Sequence, residues 1–258
     1  MGEPIELHRM GPVEIASTTF RVYLRTLPTM LGLGVLFLGI GFAVILVMGI
    51  AVGIGGSVFG VDSVFGAVGL ALGGGIVGLV IIMYYYAAVT LTVSVYLTGH
   101  KAGLLQVLKR ISGTLIFQLL GTLVLVALAI IGGFILLIIP GIIFAIRFLF
   151  ASPIVVLERV TYARAMRRSR ELVKDHWWRI FLSLLVVTVL IQVASFIIVA
   201  ILSIALLALG LGESSSSIAQ GISSVVLYPL GLIYPVLLYY DIRIRKEAFN
   251  IAALREAL

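Results

Sequence analysis

Between Arg25 and Lys101 the chain carries one charged residue, Asp62, and from Ile111 to Ile146 it carries none. A helix that crosses a bilayer needs roughly 20 mostly apolar residues. Each of these uncharged runs is long enough for two crossings. The apolar character of the second continues past Arg147 to Leu157, and a third pair of runs follows Arg179. The first run divides into spans at about 27–54 and 68–97, with the Gly- and Ser-containing segment 55–66 between them. The second divides into about 112–132 and 134–157, with a tight turn expected at Gly132-Gly133. Pro140-Gly141 is the other candidate turn, but a proline can also kink a membrane helix whose freed carbonyl finds a neighbour. The third gives 180–209 and 218–240, joined by the polar loop 212–217.

The basic residues fix how these spans thread the membrane. Of 18 Lys and Arg, all but Arg147 fall in four stretches: Arg9 to Arg25, Lys101 to Arg110, Arg159 to Arg179, and Arg243 to Arg255. The alternate linkers hold only Asp62 and Glu213. Basic residues stay on the cytoplasmic side of membrane proteins. The expectation is an all-α, polytopic, six-span protein of the cell membrane with both termini cytoplasmic. Apolar residues make up 62% and charged residues 11%, against about 25% charged in soluble domains, so the chain cannot cover itself for water. The net charge of +7 lies beside the apolar runs. It matches anionic headgroups rather than nucleic acid. The N-terminus lacks the basic and apolar regions of a signal peptide, so the first span is expected to remain.

Each outward-going span follows a short amphipathic segment. In the first, Ala16, Phe20, Tyr23, Leu24 and Leu27 oppose Glu14, Thr18, Arg21 and Arg25. In the second, Leu104, Leu105, Leu108 and Ile111 oppose Gln106, Lys109 and Arg110. In the third, Tyr162, Ala165, Met166, Ser169, Leu172 and Val173 oppose Arg164, Arg167, Arg168, Glu171 and Asp175. This 3.6-residue spacing predicts three short cytoplasmic interfacial helices. The unit, an interfacial helix followed by a hairpin of spans, occurs three times as a pattern of hydropathy.

Candidate ligand-binding residues cluster at the basic edge. The stretch 158–181 holds Arg164, Arg167, Arg168, Trp178 and Arg179. It reads either as a platform for anionic lipid or a protein partner, or as a topological anchor with its aromatic belt. Arg147 falls ten residues before Leu157, about 15 Å along a helix. A bare charge that deep is costly, so compensation by Glu158, Asp241, carbonyls near Pro140 or a lipid phosphate is expected. Asp241 and Arg243 end the last span, which Pro229 and Pro235 interrupt. That span is either a broken binding helix or a kinked closing helix. Thr90, Thr92 and Ser94 make the second span polar, as a pathway or as interhelical hydrogen bonds. Cysteine is absent, and His8, His100 and His176 are far apart. No catalytic set, metal site or cofactor is expected.

Two segments carry a family resemblance. Residues 137–181 hold Pro140-Gly141, Arg147, Glu158, Ala165, Arg168-Ser169, Leu172 and Trp178-Arg179. Residues 239–251 read YYDIRIRKEAFNI. Together these resemble the membrane-domain family of glycerophosphoryl diester phosphodiesterase, and the hairpin layout fits it over nearly the full chain. In some members this domain precedes a catalytic barrel, for which these residues leave no room. The resemblance therefore implies no phosphodiesterase activity here. The expected role is a non-enzymatic domain engaging anionic lipid or a membrane-associated partner at the cytoplasmic face. Transport of an anionic or lipid-like solute past Arg147 and the kinked last span is the competing role, and an intramembrane enzyme the third.

The topology is testable in this cysteine-free chain. A single cysteine introduced at Ser216 should be labelled by an impermeant maleimide only from the non-cytoplasmic side. Labelling from the cytoplasmic side alone would contradict it.

Overall fold

A computed structural model describes residues 10–59, 64–99 and 103–247. Among these the chain is helical throughout, with α1 Pro12–Phe59, α2 Val64–Leu97, α3 Leu104–Lys109, α4 Gly113–Leu136, α5 Ile138–Arg147, α6 Ala151–Glu158, α7 Tyr162–Val173, α8 Trp177–Ala208 and α9 Ser214–Glu247. Six segments are long and apolar enough to cross a membrane: α1, α2, α4, α5 with α6, α8 and α9. They form three hairpins, α1–α2, α4–α5/α6 and α8–α9. The last helix, α9, touches α1, α2, α6, α7 and α8.

Packing is concentrated at one end of the bundle. Ala87, Leu91, Leu119, Ile154, Ile233 and Leu237 are buried, whereas Phe42, Ile45, Ile76, Phe196, Ile201 and Ile204, further along the same hairpins, are exposed. In water those exposed rows would be untenable. In lipid they need no cover, because hydrocarbon is as apolar as the side chains themselves. The packed end is the basic one, where Met10 at the start of the described chain meets Asp241 of α9. Glu213 lies between α8 and α9 at the other end; Asp62 falls outside the described residues.

The first amphipathic segment is not a separate helix. It continues through Pro28 into the first span as one 48-residue helix. Its buried face also differs from the expected one. Ile15, Val22, Tyr23, Thr26 and Met30 point inward, while Phe20 and Leu24 are exposed. Threonine explains the change. The hydroxyls of Thr19 and Thr26 donate to the carbonyls of Ile15 and Val22, each at 2.7 Å, so these side chains satisfy themselves and pack as apolar groups. In α3, likewise, Val107 is buried and Leu105 is 71% exposed. The third segment, α7, buries Ala165, Ser169, Leu172 and Val173 as its spacing predicts.

The hairpin turn of the second pair lies at Leu137 rather than at Gly132-Gly133. Leu137 is extended, with φ −167° and ψ 160°. Pro140 sets this place, since it has no N–H to give the Leu136 carbonyl and its ring crowds that turn. As the third residue of α5, Pro140 gives up a donor that would be free anyway. Gly133 instead lets the two arms approach, for a Cβ there would stand 3.0 Å from the Gly141 Cα. The fourth span is itself broken between α5 and α6, at residues 148–150. Pro153, third in α6, acts on the Leu149 carbonyl as Pro140 does on Leu136.

A break inside a membrane leaves backbone groups that water cannot satisfy. Ser169 of α7 supplies the partner. Its hydroxyl donates to the Arg147 carbonyl at 2.8 Å and accepts from the Phe150 amide at 3.1 Å. Ser169→Ala leaves both groups unpaired, and a buried unpaired group costs about 1–3 kcal/mol. The variant should melt measurably below the parent in detergent, with Ser216→Ala as the neutral control. Equal melting temperatures would remove Ser169 from this role.

Candidate functional site

The basic end is organised around two carboxylates. Glu158, last residue of α6, accepts from the Tyr239 hydroxyl at 2.6 Å and from Arg168 Nε at 3.2 Å. Arg168 also pairs with Glu247 at 2.5 Å, and Glu247 with Arg243 at 3.0 Å. Arg243 closes the ring by donating to the Tyr239 hydroxyl at 3.1 Å. This circuit joins α6, α7 and α9, and its two arginines and two glutamates cancel. Burial on its own would weaken the Arg168 guanidinium's hold on its proton, but the Glu158 and Glu247 carboxylates outweigh burial and raise its pKa.

Asp241 centres the second cluster and is fully buried. One of its oxygens accepts the Met10 amide at 2.9 Å. The other faces Arg245 Nε at 2.9 Å and an Arg179 nitrogen at 3.5 Å. Both arginines also donate to the Met10 carbonyl. The peptide at Met10 is thus read on both sides, and α1, α8 and α9 are tied together. Lys246 completes the end, reaching the Glu171 carbonyl at 2.7 Å and Asp175 at 3.6 Å. Each of these side chains spends its charge on neighbours within the protein. Four sequence candidates, Arg168, Arg179, Asp241 and Arg243, are therefore placed in structural networks. Met10 belongs to one of them, and nothing in its apolar side chain signals that.

The remaining candidates stand apart. Arg164 and Arg167 project from the exposed face of α7, with Arg170 on the same helix. None of the three has a side-chain partner among the described residues. Arg147 is exposed at the C-terminal end of α5 and has no side-chain partner either. The expected compensation by Glu158 or Asp241 does not occur, because other cations already hold both carboxylates. Arg147 lies instead in a groove of about 760 Å³ between α5, α7 and α8. Trp178, 68% exposed, lines the same groove. Arg170 and Lys174, which sequence reasoning left among the general charge of the loop, lie there too.

Two of the polar residues of the second span are engaged within the bundle. Thr92 and Ser94 donate to carbonyls of their own helix, and the Tyr240 hydroxyl donates to Ser94 at 3.1 Å. Near Pro229 of α9, the Tyr23 hydroxyl donates to the Val226 carbonyl at 2.8 Å. No group of metal-binding side chains occurs among the described residues.

Residues 116–242, just under half of the chain, match the family described as the membrane domain of glycerophosphoryl diester phosphodiesterase. The resemblance seen in the sequence holds over that stretch. The matched part is the membrane domain and not the catalytic part. No curated protein and no solved structure matches the chain. With six apolar helices of spanning length, this is a multi-pass membrane protein.

The buried carboxylate gives a direct test. Removing one partner of a buried ion pair costs about 3–5 kcal/mol. Asp241→Ala should therefore lower the melting temperature in detergent far more than Arg164→Gln, whose side chain has no partner. Equal effects would contradict the assignment of structural and free charges.

Proposed function

We propose that this chain is a non-enzymatic domain of the cell membrane whose basic end faces the cytoplasm and engages anionic lipid there. The unpartnered cations of α7 carry this reading. Arg164, Arg167 and Arg170 are exposed without carboxylate partners among the described residues, while Arg168, Arg179, Arg243 and Arg245 are held within the protein. A basic amphipathic helix lying at the foot of a bundle meets the headgroup plane. The inner leaflet is anionic and attracts such residues, which also supports a cytoplasmic location for both termini.

A non-enzymatic role accords with the engagement of Glu158 and Asp241, since each is held by at least two cations. Transport through the bundle has less support. Arg147 lies in a groove of the α5, α7 and α8 surface, and bulky side chains of Phe150, Tyr234, Tyr239 and Tyr240 fill the core.

Each basic residue near an anionic surface is worth about 1 kcal/mol. At low ionic strength the double variant Arg164→Gln/Arg167→Gln should thus bind phosphatidylglycerol in detergent about 2 kcal/mol more weakly, on the order of thirtyfold. Binding of phosphatidylcholine should not change. Unchanged phosphatidylglycerol binding would overturn the reading and favour a protein partner for this face.

A further inference from the structure

The groove between α5, α7 and α8 is built for something more particular than a charged surface. Ile139, Ile142 and Ile143 form one wall, at spacings that put them on one face of α5. Trp177, Trp178 and Phe181 of α8 form the other, with Trp177 and Phe181 stacked at 5.3 Å between ring centres. Arg147, Arg170 and Lys174 supply charge. Two carboxylates also border the groove, but Asp175 is paired with Lys246. Glu171 alone stands against three unpartnered cations.

Charge adds a second argument. Arg147 ends α5 and is the one charged residue of that helix. A cation beside an apolar wall is costly without a counter-charge, and none of the described carboxylates pairs with it. The break after Arg147, closed by Ser169, brings α7 and its cations alongside the end of α5. A guanidinium suits phosphate, which it can bind through two parallel hydrogen bonds.

We infer that this groove binds one anionic phospholipid, its phosphate held by Arg147, Arg170 and Lys174 and an acyl chain laid along Ile139, Ile142 and Ile143. The inference rests on the anionic-lipid reading above and adds a discrete site to it. A soluble phosphate would leave the isoleucine wall uncovered, and a neutral lipid would leave the three cations unmatched. The volume falls within the range of about 300–1,000 Å³ usual for ligand pockets. The site differs from the outer face of α7 in its response to salt. A diffuse surface contact fades when the Debye length falls to about 3 Å near 1 M salt, whereas a partly enclosed pair is screened much less.

Native mass spectrometry of the full chain in detergent tests it, with phosphatidylglycerol, phosphatidylcholine or glycerol phosphate added. The parent should retain one phosphatidylglycerol after a wash near 1 M salt, and neither of the other probes. Arg147→Gln should weaken that retention at least roughly tenfold, the loss of one charge-assisted contact. Arg147 has no partner to orphan, so the variant should keep its melting temperature. Ile143→Trp, which fills the apolar wall, should weaken retention as well. Arg164→Gln/Arg167→Gln should leave the salt-resistant lipid in place. Undiminished retention in both groove variants overturns the site, as does equal retention of phosphatidylcholine. Full competition by glycerol phosphate reduces it to an anion site and overturns the lipid assignment. Loss of phosphatidylglycerol binding by the parent even at low salt would instead refute the broader reading on which the site rests.

Discussion

Asp241 takes the highest desolvation cost among the charges described, since no part of it reaches solvent. Arg179, Arg245 and the Met10 amide surround its two oxygens. Those partners come from α8, from the next turn of α9 and from the chain just before α1. One carboxylate thereby fixes where the first span begins and how the last two cross. The Glu158 ring does the same for α6, α7 and α9. Helices in lipid gain little from burying apolar surface against each other. Hydrogen bonds and ion pairs at the basic end therefore hold together what packing alone would leave splayed. The opposite ends of the hairpins expose their apolar side chains.

This arrangement divides the cations into two populations. Those of α9, with Arg168 of α7 and Arg179 of α8, hold the bundle. Arg164, Arg167 and Arg170 of α7 and Arg147 at the end of α5 have no side-chain partner among the described residues and face outward or into the groove. Ser169 links the two, because α7 must lie against the broken fourth span to satisfy it. The segment Ala165 to Leu172 has three distinct uses at once: Ala165 and Leu172 pack, Arg168 enters the Glu158 ring, and Ser169 closes the break. The cations that remain at Arg164, Arg167 and Arg170 are the ones such a helix can offer to lipid.

Much of this fold was legible in the sequence, because spanning length and the placement of Lys and Arg are properties of composition along the chain. The α7 face was legible too, apart from Tyr162, which is exposed, since its other polar and apolar residues largely separate. Phe20, Leu24 and Leu105 were misplaced because threonine and valine compete for the buried face, and residue hydrophobicity does not record a hydroxyl folded back on its own helix. The turn at Leu137 was missed because Gly132-Gly133 reads as a flexible pair, whereas Gly133 serves close packing. The break before α6 had a signal in Pro153 that the apolar run concealed. The ionic networks were not legible. Arg168 and Glu247 are far apart in sequence, and charge type alone cannot tell a structural arginine from a free one. Arg147 illustrates the same limit: its oddity was plain, but its surroundings depended on a helix break and on α7.

The central claim is that anionic lipid meets the free cations of α5 and α7 and not the engaged cations of α9. A phosphatidylglycerol analogue bearing a photoreactive group near its headgroup tests this in reconstituted bilayers, with crosslinked peptides mapped by mass spectrometry. The account predicts adducts on the peptides around Ile143 to Arg147 and Arg170 to Phe181. Adducts concentrated on the α9 segment from Tyr239 to Glu247, or spread evenly over all spans, would contradict it.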